Sequence, residues 1–243
     1  MSEQDWTPPP PGGSFAPGEP PPGPTAPPLP WEDRQRLGFV NALVETIKLL
    51  VTAPGEAYRR AREKGDFLSP LLFAVVVGWV MAIVGQLWSL AFQSTWISLL
   101  PAELRDQIGP MLATSVIGFV ATVILAPILV IVVLFIWSGI VHLCLMLVGG
   151  TGNSTSGFEG TFRAISYAQV ASLAQVVPLV GGLIGFVWGI VLQVVGLATL
   201  HKTSQGKAAA AVLIPIGLCC VCIVVVIAIA GASLIAAISS AQH

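Results

Sequence analysis

The chain is short of charge. Lys, Arg, Asp and Glu make up 9% of its 243 residues, against about a quarter in ordinary soluble domains. None occurs between Asp106 and Glu159, between Arg163 and Lys202, or after Lys207. Stretches of that kind cannot clothe a water-soluble surface, whereas a hydrocarbon layer tolerates little else. The formal net charge of −1 excludes the basic footprint that nucleic acid requires. Only four cysteines are present, Cys144, Cys219, Cys220 and Cys222. All lie in apolar runs, which excludes a disulfide framework, and with no His or carboxylate near Cys219 and Cys222 these read as packing residues. A basic segment followed by a short apolar core is missing from the N-terminus, so the first apolar span is expected to serve as the insertion signal. Motifs of catalysis are missing too. Gly149-Gly150-Thr151-Gly152 lacks the Gly-Lys-Ser/Thr ending of a phosphate loop and follows no strand. Ser138-Gly139, with His142 beyond, sits in no Gly-x-Ser-x-Gly turn. The chain reads as a non-enzyme with no cofactor or metal.

What the sequence does have is apolar length: 55% hydrophobic residues and a mean hydropathy of +0.85. The reading is an all-α polytopic membrane protein with five transmembrane helices, at about 70–92, 111–148, 161–177, 179–200 and 208–238, within a membrane domain over 67–240. Ser69 is the expected cap of the first span and Pro70 its first helical residue, where a missing N–H costs nothing. The 38-residue uncharged run of Met111 to Val148 contains Pro127 and no turn residues, and reads as one long, kinked or tilted helix. Arg163 is expected to snorkel at the start of the third span.

Two segments precede the membrane domain. Residues 1–30 hold twelve of the nineteen prolines and read as a disordered, solvated tail. Over 31–66, Leu37, Val40, Leu43, Val44, Ile47, Leu50 and Val51 recur at three- and four-residue steps opposite Arg34, Asn41, Glu45 and Lys48. That is an amphipathic helix of the interfacial kind, with a charged stretch, Glu56 to Lys64, before the first span. Its apolar stripe is free to lie in the headgroup plane, to pack on the protein's own spans, or to do both. Seven of the eleven basic residues precede the first span, which places the N-terminus in the cytoplasm. With alternating crossings Arg163, Lys202 and Lys207 join them, Arg105 stands alone on the far side, and the C-terminus ends opposite the N-terminus.

Three groups of residues stand out within the membrane domain. Gly181, Gly185 and Gly189 repeat at four-residue spacing, a small face for close helix packing inside the bundle or, alternatively, for a homo-oligomer. His142, with Ser138 one turn before it, forms a candidate intramembrane polar site. Lying near the cytoplasmic end of its span, His142 is expected to be neutral and bonded to a neighbouring helix through Tyr167 or Ser166. The third group carries a resemblance. Asp66-Phe67-Leu68-Ser69-Pro70 is similar to the Asp-Leu-Tyr-Gly-Pro motif of the Yip-domain family of Ypt/Rab-interacting membrane proteins, and Ser166-Tyr167 stands where that family carries Gly-Tyr. The stretches Trp137 to His142, Gly149-Gly150 and Phe158 to Arg163 resemble its prokaryotic branch, over roughly Pro54 to Ile238. What the resemblance implies is a five-span membrane adaptor without chemistry, with Asp66, Pro70 and Tyr167 as candidate partner-binding residues. The function expected is a non-enzymatic scaffold in the bacterial cytoplasmic membrane, organising the bilayer or recruiting protein partners at the cytoplasmic leaflet. The alternative is a small-solute or ion transporter or channel, suggested by Pro127, Gln175 and Gln193.

Overall fold

The computed structural model describes residues 27–112 and 116–241, so nearly all of the proline-rich tail lies outside the described residues. These residues form helices and loops, with no strand among them.

The chain enters through a 3-10 turn, Pro30–Asp33, and α1, Arg34–Leu37. The expected single amphipathic helix is interrupted at Gly38, whose φ of 80° lies in the region that side chains avoid. It resumes as α2, Phe39–Thr52, and Pro54 then opens α3, Pro54–Arg60, in a first turn, where a proline's missing N–H costs no hydrogen bond. Along α2 the buried residues are Ala42, Thr46 and Leu50, while Val40, Val44 and Val51 stay exposed. The apolar stripe is thus shared between the protein and its surroundings.

Four helices are long and apolar enough to cross a membrane by length and composition. They lie within α4, Leu68–Ser98; α6, Val116–Leu147; α8, Gly181–Leu200; and α9, Gln205–Ala241. α5, Ala102–Leu112, joins the first two, and Pro127 falls inside α6, which is one continuous helix around it. The segment expected as the third span takes another form. It is α7, Gly157–Ala168, running on into a 3-10 stretch, Gln169–Val176. Gly160 through Ala168 are all buried. A segment carrying Glu159, Arg163, Ser166 and Tyr167 needs protein around it on every side, so it is packed as an inner helix and lacks the long uniform apolar surface of its neighbours.

α7, the 3-10 stretch and α8 make one antiparallel hairpin, turned at Pro178 to Val180 with Leu179 at a φ of 69°. The seam is unusually close at the turn. A Cβ on Gly181 would stand 2.0 Å from the Ala174 carbonyl oxygen, and one on Gly185 2.7 Å from that of Ala171. At the open end the Ser156 hydroxyl donates to the Leu200 carbonyl at 3.0 Å. The Tyr58 ring of α3 lies across the seam against Gly196, and its hydroxyl donates to the Ala164 carbonyl at 3.0 Å.

The core sits at this open end. Trp31 packs edge-on against Phe73 of α4 (5.8 Å between ring centroids), and Phe73 against Tyr167 of α7 (5.3 Å). Polar anchors fix the first ring: the Trp31 indole donates to the Ser69 carbonyl at 2.6 Å and its backbone N–H to Thr46 Oγ1 at 2.8 Å. α9 departs from this pattern. Ala208, Ala211 and Val212 are buried, but every residue from 217 to 232 is exposed, so that stretch stands clear of the bundle.

Candidate functional site: a buried ionic junction beneath the N-terminal helices

Glu159 and Arg163 are one turn apart on α7, which aligns their side chains on one face. The Arg163 side chain is wholly buried, and it donates to Glu159 Oε1 at 2.8 Å, to the Asp66 carbonyl at 2.9 Å and to Glu32 Oε1 at 2.6 Å. The expectation that Arg163 snorkels to the headgroups is therefore corrected. Its guanidinium is sealed in protein because it has carboxylates to meet there, and a buried arginine is stable only when so paired.

Glu32 is the other half of the junction. Its side chain is fully buried. One oxygen accepts from Arg163 and from the Tyr167 hydroxyl at 2.8 Å, and the other from the Arg62 backbone N–H at 2.8 Å. Asp66 takes part in two ways. Its backbone N–H donates to Glu159 Oε1 at 2.9 Å, and its carboxylate accepts from the Ser69 N–H at 3.0 Å and from the Ser69 hydroxyl. Asp66, not Ser69, is therefore the residue that caps α4 with its side chain, and Pro70 is the third helical residue, in a first turn where no N–H is needed. Arg34 closes the ring, donating to Ser69 Oγ at 2.6 Å.

Burial works to raise the pKa of both Asp66 and Glu159. Hydrogen bonds outweigh it: from Ser69 to Asp66, from the Asp66 and Gly65 N–H groups to Glu159, together with the Arg163 charge. Both carboxyls are held below the ordinary range. Asp66 and Glu159 thus enter the junction as carboxylates. Its chemistry is that of a clamp joining the N-terminal helices, the start of α4 and α7.

A second polar group lies toward α9. Thr161 Oγ1 stands 2.8 Å from His142 Nδ1 and 2.9 Å from His201 Nε2. The hydroxyl has one proton to give, so at most one ring accepts from it and at least one donates to it. The partner of His142 is therefore Thr161, not Tyr167 or Ser166, because Tyr167 is turned to Glu32 and the Ser166 hydroxyl is buried without a bond. Burial, with the neighbouring His142 ring adding to it, lowers His201 to about 4, so it is neutral at physiological pH. Ser138 is buried with no hydrogen-bond partner for its hydroxyl. Among the described residues no group of three or more His, Cys, Asp or Glu side chains could hold a metal ion.

Of the residues singled out in the sequence, Asp66 and Tyr167 meet at the ionic junction, and Pro70 lies buried beside it. His142 belongs to the hydroxyl-bridged pair, and Gly181 and Gly185 face the 3-10 backbone across the hairpin seam, with Gly189 a step looser, 3.6 Å from Ala171 Cβ. Sequence reading missed Glu32, Glu159 and His201. Glu159 was legible from its i,i+4 spacing to Arg163, whereas Glu32 precedes its partner by 131 positions and looks like one more charge on a solvated helix.

Charged loops gather at the same end. Lys202 pairs with Glu63 at 2.7 Å, Thr155 donates to Glu63 at 3.2 Å, and the Lys207 ammonium donates to the Gly149 carbonyl at 2.9 Å. No curated protein and no solved structure matches the chain. The Yip1 domain family model matches residues 47–227, a range that holds the four apolar helices up to Ile227, the α7–α8 hairpin and all of the junction except Glu32 and Arg34. The chain therefore belongs to the Yip1 domain family of membrane proteins.

Proposed function

We propose that the protein is a non-enzymatic membrane scaffold whose N-terminal helices, held by the ionic junction, lie on the cytoplasmic leaflet and there organise lipid or recruit protein partners. The observation that carries this reading is the split face of α2. At about 100° per residue, Val40, Val44, Ile47 and Val51 fall within an arc of roughly 60°, beside a polar strip of Asn41, Glu45, Lys48 and Thr52. Val40, Val44 and Val51 are 67%, 41% and 48% exposed. Trp31, which leads into this helix, packs on Phe73, the sixth residue of α4, and so sits at the depth of the first span's opening turns. An exposed apolar stripe at that depth, edged by polar side chains and followed by Arg59, Arg62 and Lys64, suits the boundary between headgroups and acyl chains of an anionic leaflet.

The topology that goes with it has five crossings, the N-terminus in the cytoplasm and the C-terminus outside. α7 and the 3-10 stretch together reach roughly 34 Å, taking about 1.5 and 2.0 Å per residue, which exceeds the ~30 Å hydrocarbon core. They pair with α8 from Ser156–Leu200 at one end to Ala174–Gly181 at the other. If α8 crosses, its hairpin partner crosses with it. The gathering of Glu63, Gly149, Thr155, Lys202 and Lys207 at one end, with Arg105 at the far end of α4, supports the same orientation. A bacterial cytoplasmic membrane and the prokaryotic branch of the family complete the proposal.

The test uses the whole protein in nanodiscs containing anionic lipid, with the four native cysteines replaced and a nitroxide attached at Val44→Cys. Oxygen, which partitions into lipid, should broaden its spectrum more than a water-soluble nickel chelate does. The opposite order would remove the leaflet contact and the scaffold reading with it.

A further inference from the structure

A cavity of about 660 Å³ opens between α6, the 3-10 stretch, α8 and α9, a volume within the usual range of small-molecule sites. Its walls are mainly apolar, among them Trp137, Phe186 and Ile216, and Gly185 and Gly189 hollow out one side. No Lys, Arg, Asp, Glu or His lines it. Three glutamines do: Gln169, Gln175 and Gln193. Gln193 accepts from the Trp137 indole at 2.8 Å. Neither its amide nitrogen nor the amides of Gln169 and Gln175 find a partner among the described residues. The cavity follows α8 from Gly182 to Gln193, roughly 16 Å at 1.5 Å per residue, within a helix that is itself a candidate span. Gln175 is exposed beside the hairpin turn, but an amide left unbonded deeper in the span, as at Gln169 and Gln193, is costly, because hydrocarbon has nothing to offer it.

The opening is lateral. Cys219 and Cys220 of α9 line the cavity and are exposed, and beyond them α9 is exposed as far as residue 232. A molecule dissolved in the bilayer can therefore enter between α8 and α9 without crossing a headgroup layer. We infer that this cavity is a binding site for an uncharged lipid with a hydroxyl head, of the diacylglycerol or isoprenoid-alcohol kind. The hydroxyl supplies both the acceptor and the donor that the unpaired amides lack. The absence of any cation from the lining excludes a phosphate or carboxylate head, and the apolar wall takes the chain.

The cysteines provide the assay. Cys219 and Cys220 line the site, and Cys222, one turn further along the same helix, is exposed but does not, so it serves as an internal control. The full-length protein in phosphatidylcholine nanodiscs is treated with N-ethylmaleimide, with and without dioleoylglycerol, geranylgeraniol or oleic acid, and modification at each cysteine is followed by mass spectrometry. Near saturation, dioleoylglycerol or geranylgeraniol should slow alkylation of Cys219 and Cys220 about tenfold and leave Cys222 unchanged; which of the two protects identifies the source of the hydroxyl. Gln169→Leu, which breaks no hydrogen bond in the protein, should weaken that protection about five- to tenfold, as the loss of one hydrogen bond in an apolar site does. Gly189→Leu fills the hollow, its Cβ meeting only Ala171 Cβ at an ordinary 3.6 Å, and should abolish protection with the melting temperature retained. The inference is overturned if neither alcohol protects, as a water-filled cavity requires, or if oleic acid protects as well. Equal slowing of all three cysteines would also overturn it, as would protection that appears without added lipid and grows with protein concentration, the mark of a second copy.

Discussion

Replacing Arg163 by Met keeps length and bulk but removes the charge that two carboxylates share. Glu32 has no exposed side-chain surface and Glu159 only 13%, so neither can recover by turning to water. Breaking a buried pair from one side typically costs about 3–5 kcal/mol, and this substitution strands two acids, which puts Arg163→Met at the upper end. Glu32→Gln should cost less, about 1–3 kcal/mol, because Arg163 keeps Glu159 and the Asp66 carbonyl. The double variant Glu32→Leu with Arg163→Met leaves one unpaired carboxylate in place of two, Glu159, which keeps the Asp66 and Gly65 N–H groups, and should be more stable than the sum of the Glu32→Leu and Arg163→Met variants by about 2–3 kcal/mol. The measurement is a double-mutant cycle on the purified protein in detergent, unfolded reversibly, with hydrogen exchange over residues 29–37 as a local report. A cost below about 1 kcal/mol for Arg163→Met, or additivity within about 0.5 kcal/mol, would refute the junction as the clamp of the N-terminal helices.

Stability should fall with acid. His201 is lowered to about 4 in the folded state from an ordinary 6.5, so its contribution is complete above pH 6.5 and drains away as the pH drops toward 4, where the unfolded chain binds a proton that the folded one refuses. Asp66 and Glu159, also lowered, extend the loss below their ordinary values. His201→Gln should flatten the upper part of that melting-temperature profile and leave the lower part. Gly181→Ala should destabilise by about 1–3 kcal/mol through overpacking against the Ala174 carbonyl. Gly182→Ala, whose Cβ meets nothing within 4 Å, should be neutral or up to about 1 kcal/mol stabilising; paired thermal melts separate them. Asp66→Ala should cost about 1 kcal/mol as a lost helix cap, visible as faster hydrogen exchange at Leu68 to Leu71 with the rest of α4 unchanged.

The long apolar helices were legible because burial in lipid is a property of composition, and Pro70, Gly149-Gly150 and Pro178 mark their ends in the text itself. α7 was not, since its pattern of small, aromatic and charged residues satisfies a hydropathy window while answering to protein contacts on all sides. The same limit hid the junction. Arg163 and Glu32 each read as a solvated charge, and only the fold shows that the residue pair belongs together. His142 was recognisable as a polar group needing a partner, but Thr161 could not be preferred over Ser166 without knowing which face of α7 turns toward α6. Gly181 and Gly185 announced a close approach, and what they approach, the backbone of a 3-10 segment, has no periodic signal of its own.

The pairing of Glu32 with Arg163 also sets a clock. Synthesis at about 5–20 residues per second leaves Glu32 exposed for roughly 7–26 seconds before its arginine is made, and longer until the α7–α8 hairpin has closed. Through that interval the first helices have neither Arg163 nor Tyr167 to hold them, and Trp31 can reach Phe73 but not the ring beyond it. The bonds of Glu32 to Arg163 and Tyr167 therefore cannot form until α7 has been made, so the N-terminal helices first rest on α4 alone, through Trp31 and Arg34.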